Sequence, residues 1–458
     1  MNYRETLAYL DSFINFERKA AYPYKQSFKL ERIRRFLDLI GNPQDSFKSV
    51  HVAGTKGKGS VCVFCAGILR ASGCSVGLYT SPHLCDVRER IRVLAPRGKD
   101  ADFEGMISRK ELSALASRMR PAIDSFCRQS PYGPLSFFEV YTALAFEFFR
   151  RKKIDVAVLE TGLGGRLDAT NVVKPLACAI TAISLDHTNK LGTTLPEIAR
   201  EKAGIIKGRT QGVLPVISAP QRPAAFSVLS RRCRSQEARL FVVGRDIKLA
   251  LSRGNKGLAR FSVSGPLGNF RDLRIRLFGE HQAVNACVAV GLAVLAAREG
   301  GFCVGEKAVR RGLAWARWPG RFEAIMRSPL IIIDGAHNAD SAAILARAAR
   351  QFLPGKKFSV IIGVSRDKDL KGICRNLLPV AGEFIATAAD NPRAFRPGKI
   401  AACIRKLDGA MPVETSPRVS DALARAKGRR KGAFLVTGSI FVAGEARRFL
   451  ARMRGVSR

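Results

Sequence analysis

The stretch His51-Val-Ala-Gly-Thr-Lys-Gly-Lys-Gly-Ser60 constrains this chain more than any other. A β-rich run, Ser49 to Ala53, enters it, and a helical pattern, Ser60 to Ser72, leaves it. Gly54, Gly57 and Gly59 allow a tight turn and let backbone N–H groups approach an anion. The following helix N-terminus favours negative charge. Strand, glycine turn, lysine and helix together describe a phosphate-binding loop in an α/β sheet. Lys58 is placed to reach terminal phosphates, and Ser60 to assist near a metal ion. The spacing departs from the usual P-loop, since Gly59 separates Lys58 from Ser60.

The rest of the chain agrees with a parallel α/β architecture. Buried-strand runs at Ser75–Tyr79, Ile154–Leu159 and Cys178–Ser184 alternate with helical patterns at Leu135–Lys152 and Leu195–Gly204. Val213 to Phe278 reads as β-like segments between Gly-rich turns, and a long apolar helix follows from Glu280 to about Ala297. Arg317-Trp-Pro-Gly-Arg321 breaks any helix and reads as a linker. A second α/β cycle follows, with strands at Leu330–Ile333, Phe358–Ile362, Gly382–Thr387 and Ala433–Val436. The expected division is therefore residues 1–320, with a β subregion at about 213–280, and residues 321–458. A chain of 458 residues is too long for one compact core.

Composition limits the alternatives. Apolar residues make up 47%, which fits a globular protein. The best candidate span, Ala283 to Ala297, is short for a membrane and contains Asn285, so it reads as a core helix. Met-Asn-Tyr-Arg-Glu at the start is not a signal peptide, and the expected location is the cytoplasm. Eleven cysteines at irregular spacing fit reduced thiols, and Cys62 with Cys65 reads as two core residues on a helix. The net charge of +39 raises the question of nucleic acid. Its Lys and Arg are dispersed, with no RNP, KH or helix-turn-helix signature, so specific nucleic-acid binding is not expected.

The loop resembles that of the folylpolyglutamate synthase and dihydrofolate synthase family of Mur ligases, with Lys56 in place of the usual Asn. Further blocks carry the resemblance in order. They are Tyr79–Leu84, Glu89–Ile91, Ser136–Glu139, Glu160–Asn171, Leu185–His187, Glu197–Lys207, His281-Gln282, Asn285-Ala286, Trp318–Arg321, Asp334–Asn338, Asp367–Asp369 and Thr437–Ser439. All five histidines fall within the loop and these blocks. Ala339 stands where the family has Pro, which should alter loop stiffness more than chemistry.

The resemblance implies a P-loop ATPase domain followed by a smaller Rossmann-like glutamate-ligase domain. It implies an ATP-dependent ligase that adds L-glutamate to dihydropteroate, to folylpolyglutamates, or to both, through an acyl phosphate. ATP would meet Gly54, Thr55, Gly57, Lys58, Gly59 and Ser60, then Asn285, Arg321 and Asp334. Lys56 is expected to add a cation beside ATP. Ser81, Glu160 and His187 each follow a strand, at the end of the sheet where α/β ligand crevices form. The family binds Mg²⁺ with the matching residues, and Mn²⁺ suits the imidazole. Lys202 matches a lysine that is carbamylated in the family, and His337 belongs to the interdomain active site. The pterin would meet Phe28, Lys29 and Leu30, Ser136, Phe137, Phe138 and Glu139, and Leu167, Asp168 and Ala169. A monomer with small-molecule substrates is expected, without membrane or specific nucleic-acid partners. The alternatives are a peptidoglycan Mur ligase and a basic, nucleic-acid-stimulated NTPase.

Overall fold

The computed structural model describes residues 1–19, 22–98, 101–252, 259–428 and 432–453. Its first sheet has seven strands: β1 Lys48–Ala53, β2 Val76–Tyr79, β3 Ile91–Leu94, β4 Val156–Glu160, β5 Ala177–Ile180, β6 Pro215–Ser218 and β7 Arg239–Val242. Their order is β3-β2-β4-β1-β5-β6-β7, parallel throughout except β3, which runs antiparallel to β2. β2, β4, β5 and β6 are buried at every residue. This is the signature of a parallel sheet covered on both faces, and explains their uninterrupted apolar runs.

β1 lies at the centre, with β4 on one side and β5 on the other. The loops after β1, β2, β4 and β5 therefore open at one end of the sheet, where the connections diverge. The helix Lys58–Ala71 springs from the glycine loop and is buried from Ser60 to Arg70. It packs against the helix Glu306–Trp315 at two glycines. A Cβ at Gly67 would lie 2.6 Å from the Gly312 carbonyl oxygen. Cys62 and Cys65 are both in this core.

The span Val213–Phe278 differs from its β-like reading. β6 and β7 belong to the main sheet, and the helix Pro223–Ser235 lies between them. Pro223 opens that helix, as proline does in a first turn. β8 Lys248–Ser252, β9 Ala259–Ser264 and β10 Phe270–Ile275 then form an antiparallel three-stranded sheet. The apolar helix is longer than expected, Glu280–Gly300, with length and hydropathy sufficient to cross a membrane. Most of it is buried within the protein, against the loop helix and the first sheet.

The second sheet contains β11 Glu323–Arg327, β12 Leu330–Ile333, β13 Phe358–Ile362, β14 Ala381–Ala386, β15 Val413–Thr415 and β16 Ala433–Thr437. Its order is β11-β12-β16-β13-β14-β15, with only β11 antiparallel. The loop after β12 faces the glycine loop across a cleft. Phe278, Phe322 and Phe352 pack together beside it, with Phe278 and Phe322 stacked at 4.9 Å.

Candidate active site

The glycine loop is held from below. Thr55 and Lys56 N–H groups donate to the Ala182 carbonyl, at 3.0 and 3.1 Å. Thr55 Oγ1 reaches the Ser184 carbonyl at 3.2 Å. Gly57 has φ +88°, and a Cβ there would lie 2.3 Å from Asn285 Oδ1. A Cβ at Gly54 would lie 1.9 Å from Thr181 Oγ1. At Gly59 it would lie 2.6 Å from the Trp318 ring. Each glycine thus answers a close approach, two of them from elements far along the chain.

Lys58 begins the loop helix, and its Nζ lies 4.0 Å from Glu160 Oε1. Glu160 ends β4 and accepts the Ser81 N–H at 3.2 Å. Burial pushes its carboxyl up to about 6, while Lys58 pulls it down. His187 sits at φ +51° in the loop after β5. Burial, helped by Lys368, keeps its imidazole neutral, well below the usual histidine value. Lys202 lies on the helix Leu195–Ala203 and is nearly inaccessible. Its Nζ donates to the Gly54 carbonyl at 2.7 Å. Burial and the positive charge of Lys58 bring its ammonium down to about 7.

The second sheet supplies the opposite wall. Arg321 donates to the Gly320 carbonyl at 3.2 Å and lines the cleft. Asp334 follows β12, and its two oxygens accept the Phe322 and Ala336 N–H groups at 2.9 and 2.8 Å. These bonds make Asp334 the residue that holds the linker against the next turn. His337 places Nδ1 2.9 Å from the Gly335 carbonyl. Its Nε2 faces Asp186 Oδ2 at 3.7 Å, so an acceptor oxygen stands beside each ring nitrogen. Burial lowers the pKa of this ring as well.

Lys56 lines the larger cavity with the rest of the glycine loop. Its ammonium crosses the cleft and donates to Asn338 Oδ1. Asn338 Nδ2 in turn donates to Asp186 at 2.8 Å, and Lys368 reaches the other Asp186 oxygen at 2.9 Å. Burial alone would raise the Asp186 carboxyl, but the hydrogen bond from His337 and the positive charge of Lys368 hold it well below the usual range. Ala339 begins the helix Ala339–Phe352, which Asn338 caps through a bond to the Ser341 N–H.

Two cavities meet here. The larger, about 640 Å³, is lined by the whole loop from Gly54 to Ser60, by Ser81, Glu160, His187 and Lys202, and by Asn285, Arg321, Asp334 and His337. The smaller, about 190 Å³, is lined by Phe16, Tyr22, Phe28, Phe138, Asp168, Lys190, Lys368, Arg393, Ser439 and neighbouring residues. Ser81, Pro82, Gly162, Leu163, His187, Arg321 and His337 line both.

Two family models match, the Mur ligase middle domain over residues 138–293 and the Mur ligase glutamate ligase domain over residues 320–440. Folylpolyglutamate synthase of Lacticaseibacillus casei is 34% identical over 396 residues, covering 86% of this chain and 87% of that one. The chain belongs to the folylpolyglutamate synthase family of Mur ligases. A probable bifunctional folylpolyglutamate synthase/dihydropteroate synthase of Haloferax volcanii is 36% identical over 457 residues. This chain spans half the length of that relative. The solved Mycobacterium tuberculosis folylpolyglutamate synthase complexed with ADP superposes with a TM-score of 0.86 at 31% identity, covering 98% of each chain.

Among the residues the family resemblance offers for a pterin, the structure separates two groups. Phe28, Phe138 and Asp168 line the smaller cavity. The other seven do not. Phe137 points into the core beside Tyr141 and the Arg90 guanidinium. Ser136 and Glu139 form a capping box for the helix Phe137–Arg151, and Glu139 also pairs with Arg32 at 2.8 Å. Lys29 is exposed, Leu30 and Leu167 pack on apolar clusters, and Ala169 is buried. Of the family's histidine positions, His187, His281 and His337 line the larger cavity. His51 is fully buried and contacts Thr170 Oγ1 at 2.8 Å, and His83 accepts from Arg90 at 3.0 Å. Phe16, Tyr22, Lys190 and Arg393 lie outside the motif blocks, and no local pattern marks them.

Proposed function

We propose that this protein is an ATP-dependent ligase that joins L-glutamate to dihydropteroate, to folylpolyglutamates, or to both. The observation that carries this reading is the shared wall of the two cavities. A nucleotide whose phosphates lie on the glycine loop and an acid in the aromatic cavity would meet at Ser81, His187, Arg321 and His337. Phe16, Tyr22 and Phe28 pack at 4.6 to 5.9 Å from one another and give a flat ring an aromatic wall.

The chemistry follows from that placement. A carboxylate is a poor electrophile. Its oxygen takes the γ-phosphoryl of ATP, giving an acyl phosphate and ADP. The glutamate amine then attacks the acyl carbon, and phosphate leaves. Lys58 and Arg321 neutralise the transferring group from opposite walls. His337 lines both cavities with Asp186 3.7 Å behind its Nε2, and it takes up the proton that the amine loses, the carboxylate stabilising the resulting imidazolium. Asn285 supports the loop at Gly57 and borders the nucleotide.

The family implies a divalent ion. Among the described residues no three His, Cys, Asp or Glu side chains come together. Glu160, His187 and Ser81 therefore offer one carboxylate, one neutral imidazole and one hydroxyl. Such a partial set fits Mg²⁺, which completes its shell with phosphate oxygens and water, and tolerates Mn²⁺. When bound, the ion would screen phosphate charge. Carbamylation of Lys202 would need a neutral amine, and the lowering of its ammonium to about 7 favours that form. In this reading ATP, the acid and L-glutamate are the only partners, and the enzyme works as a cytoplasmic monomer.

The test is ADP release with dihydropteroate or tetrahydrofolate, each with and without L-glutamate. Release that requires both the acid and L-glutamate supports the reading. Release stimulated by RNA and indifferent to both would replace it with the NTPase alternative.

A further inference from the structure

The smaller cavity is lined by four cations, and three of them have polar partners within the protein. Lys368 lies 2.9 Å from Asp186 and 3.8 Å from Asp367. Arg393 pairs with Asp367 and donates to the Glu17 carbonyl. Arg321 donates to the Gly320 carbonyl. Lys190 differs. Its Nζ lies over the Tyr22 ring, 4.1 Å from the centroid. Among the described residues no carboxylate lies within ion-pair distance of it. The acids lining the same cavity are already engaged. Glu17 pairs with Arg90 at 2.5 Å, and Asp168 accepts the Leu163 N–H, the Thr170 N–H and the Thr170 hydroxyl.

A lysine on an aromatic face keeps most of its capacity for an anion, because the ring supplies a weak attraction and no hydrogen-bond acceptor of carboxylate strength. Resting on the ligase reading, we infer that Lys190 recognises a free, non-reacting carboxylate of a glutamyl group in the smaller cavity. Dihydropteroate carries a single carboxylate, and that one reacts. A folylglutamate brings an additional carboxylate on its tail, and the incoming amino acid brings its own. Lys190 is thus a specificity-determining residue that separates glutamyl-bearing ligands from those without.

Steady-state turnover of wild type, Lys190→Met and Lys190→Arg tests this, titrating dihydropteroate, tetrahydrofolate and L-glutamate in turn. A lost charge-assisted hydrogen bond should raise the relevant KM about tenfold or more in Lys190→Met. Lys190→Arg should restore most of it. A rise confined to tetrahydrofolate assigns the carboxylate to the acid's tail. A rise for L-glutamate with either acid assigns it to the incoming amino acid. Unchanged KM values for all three, or an equal fall in kcat with both acids and no KM change, overturns the assignment. Wild-type turnover with either acid upholds the ligase reading whatever the variant does. A wild type inert with both overturns that reading and this inference together.

Discussion

Replacing Lys58 with Met should remove most phosphoryl transfer and leave the fold intact. Lys58 Nζ stands 4.0 Å from Glu160 Oε1, at the mouth of the glycine loop. Two unit charges at about 4 Å interact by roughly 4 kcal/mol when the effective dielectric constant is about 20. A γ-phosphoryl oxygen at similar range would gain a stabilisation of that order in the transition state. Since about 1.4 kcal/mol is tenfold in rate, its loss corresponds to about a thousandfold fall in turnover. Met keeps an unbranched apolar stem of similar reach, so packing at the helix start changes little. The neighbouring Lys56 is no substitute, because its ammonium is bound to Asn338 across the cleft. The assay is ADP release at saturating acid, L-glutamate and ATP, with a thermal melt to confirm folding. Lys56→Met should retain far more turnover than Lys58→Met. Lys58→Met within tenfold of wild type, with Lys56→Met inactive, would show that the wrong lysine has been placed on the phosphates.

Three further outcomes follow from the same geometry. Lys202 has its folded pKa lowered to about 7 by burial, so the unfolded state binds the extra proton between pH 7 and the ordinary lysine value. Wild-type stability relative to Lys202→Met should therefore rise with pH from about 7 to about 10 and be flat below 7, measured by urea melts in CO₂-free buffer; the opposite slope would mean a charged, well-partnered amine. Gly312→Ala should destabilise by about 1–3 kcal/mol or more, because its Cβ would stand 2.4 Å from the Ile68 backbone, which has no rotamer to move; an unchanged melting temperature would show that the helix pair is looser than described. Nucleic-acid affinity arising from the +39 charge should fall steeply between 50 and 200 mM salt in a filter-binding titration, as counterion release requires; a sequence-selective complex that persists at the higher salt would contradict the dispersed-charge reading.

The parts of the site legible in the sequence are those whose signal is local. Gly54, Gly57 and Gly59 announce a backbone that must come close to something. In the structure that close approach is by Thr181, Asn285 and Trp318 as much as toward the cavity. The adjacent pair Phe137-Phe138 shows where local reading stops. Successive residues on a helix point about 100° apart, so one ring enters the core beside Tyr141 while the other turns to the cavity behind Gly162. Ser136 and Glu139 carried a competing explanation in plain view, since Ser-x-x-Glu before an apolar run is a capping box. The helix at Pro223 was equally marked by its proline and obscured by the Gly-rich turns around it. The smaller cavity was not legible, because its walls come from separated segments, at residues 15–17, 22, 28, 81–82, 138, 162–168, 187–190, 321, 337, 365–368, 393 and 439–441, and only the packing of two sheets brings them together.

Lys56 shows why position within a motif does not fix what a side chain does. Read along the chain, it is a second cation in a phosphate loop. In three dimensions it faces an asparagine from the opposite wall, and that asparagine is itself held by Asp186. Asp186 accepts from Asn338 and Lys368 of the second sheet while standing in the loop after β5 of the first. Each member is largely buried, so removing one leaves the others desolvated and short of a partner, a loss of several kcal/mol where a charge is stranded. The four groups therefore act as a unit across the cleft. Their joint presence ties the glycine loop to the segment that carries His337. Separation of the walls would have to break the Lys56–Asn338, Asn338–Asp186 and Lys368–Asp186 contacts.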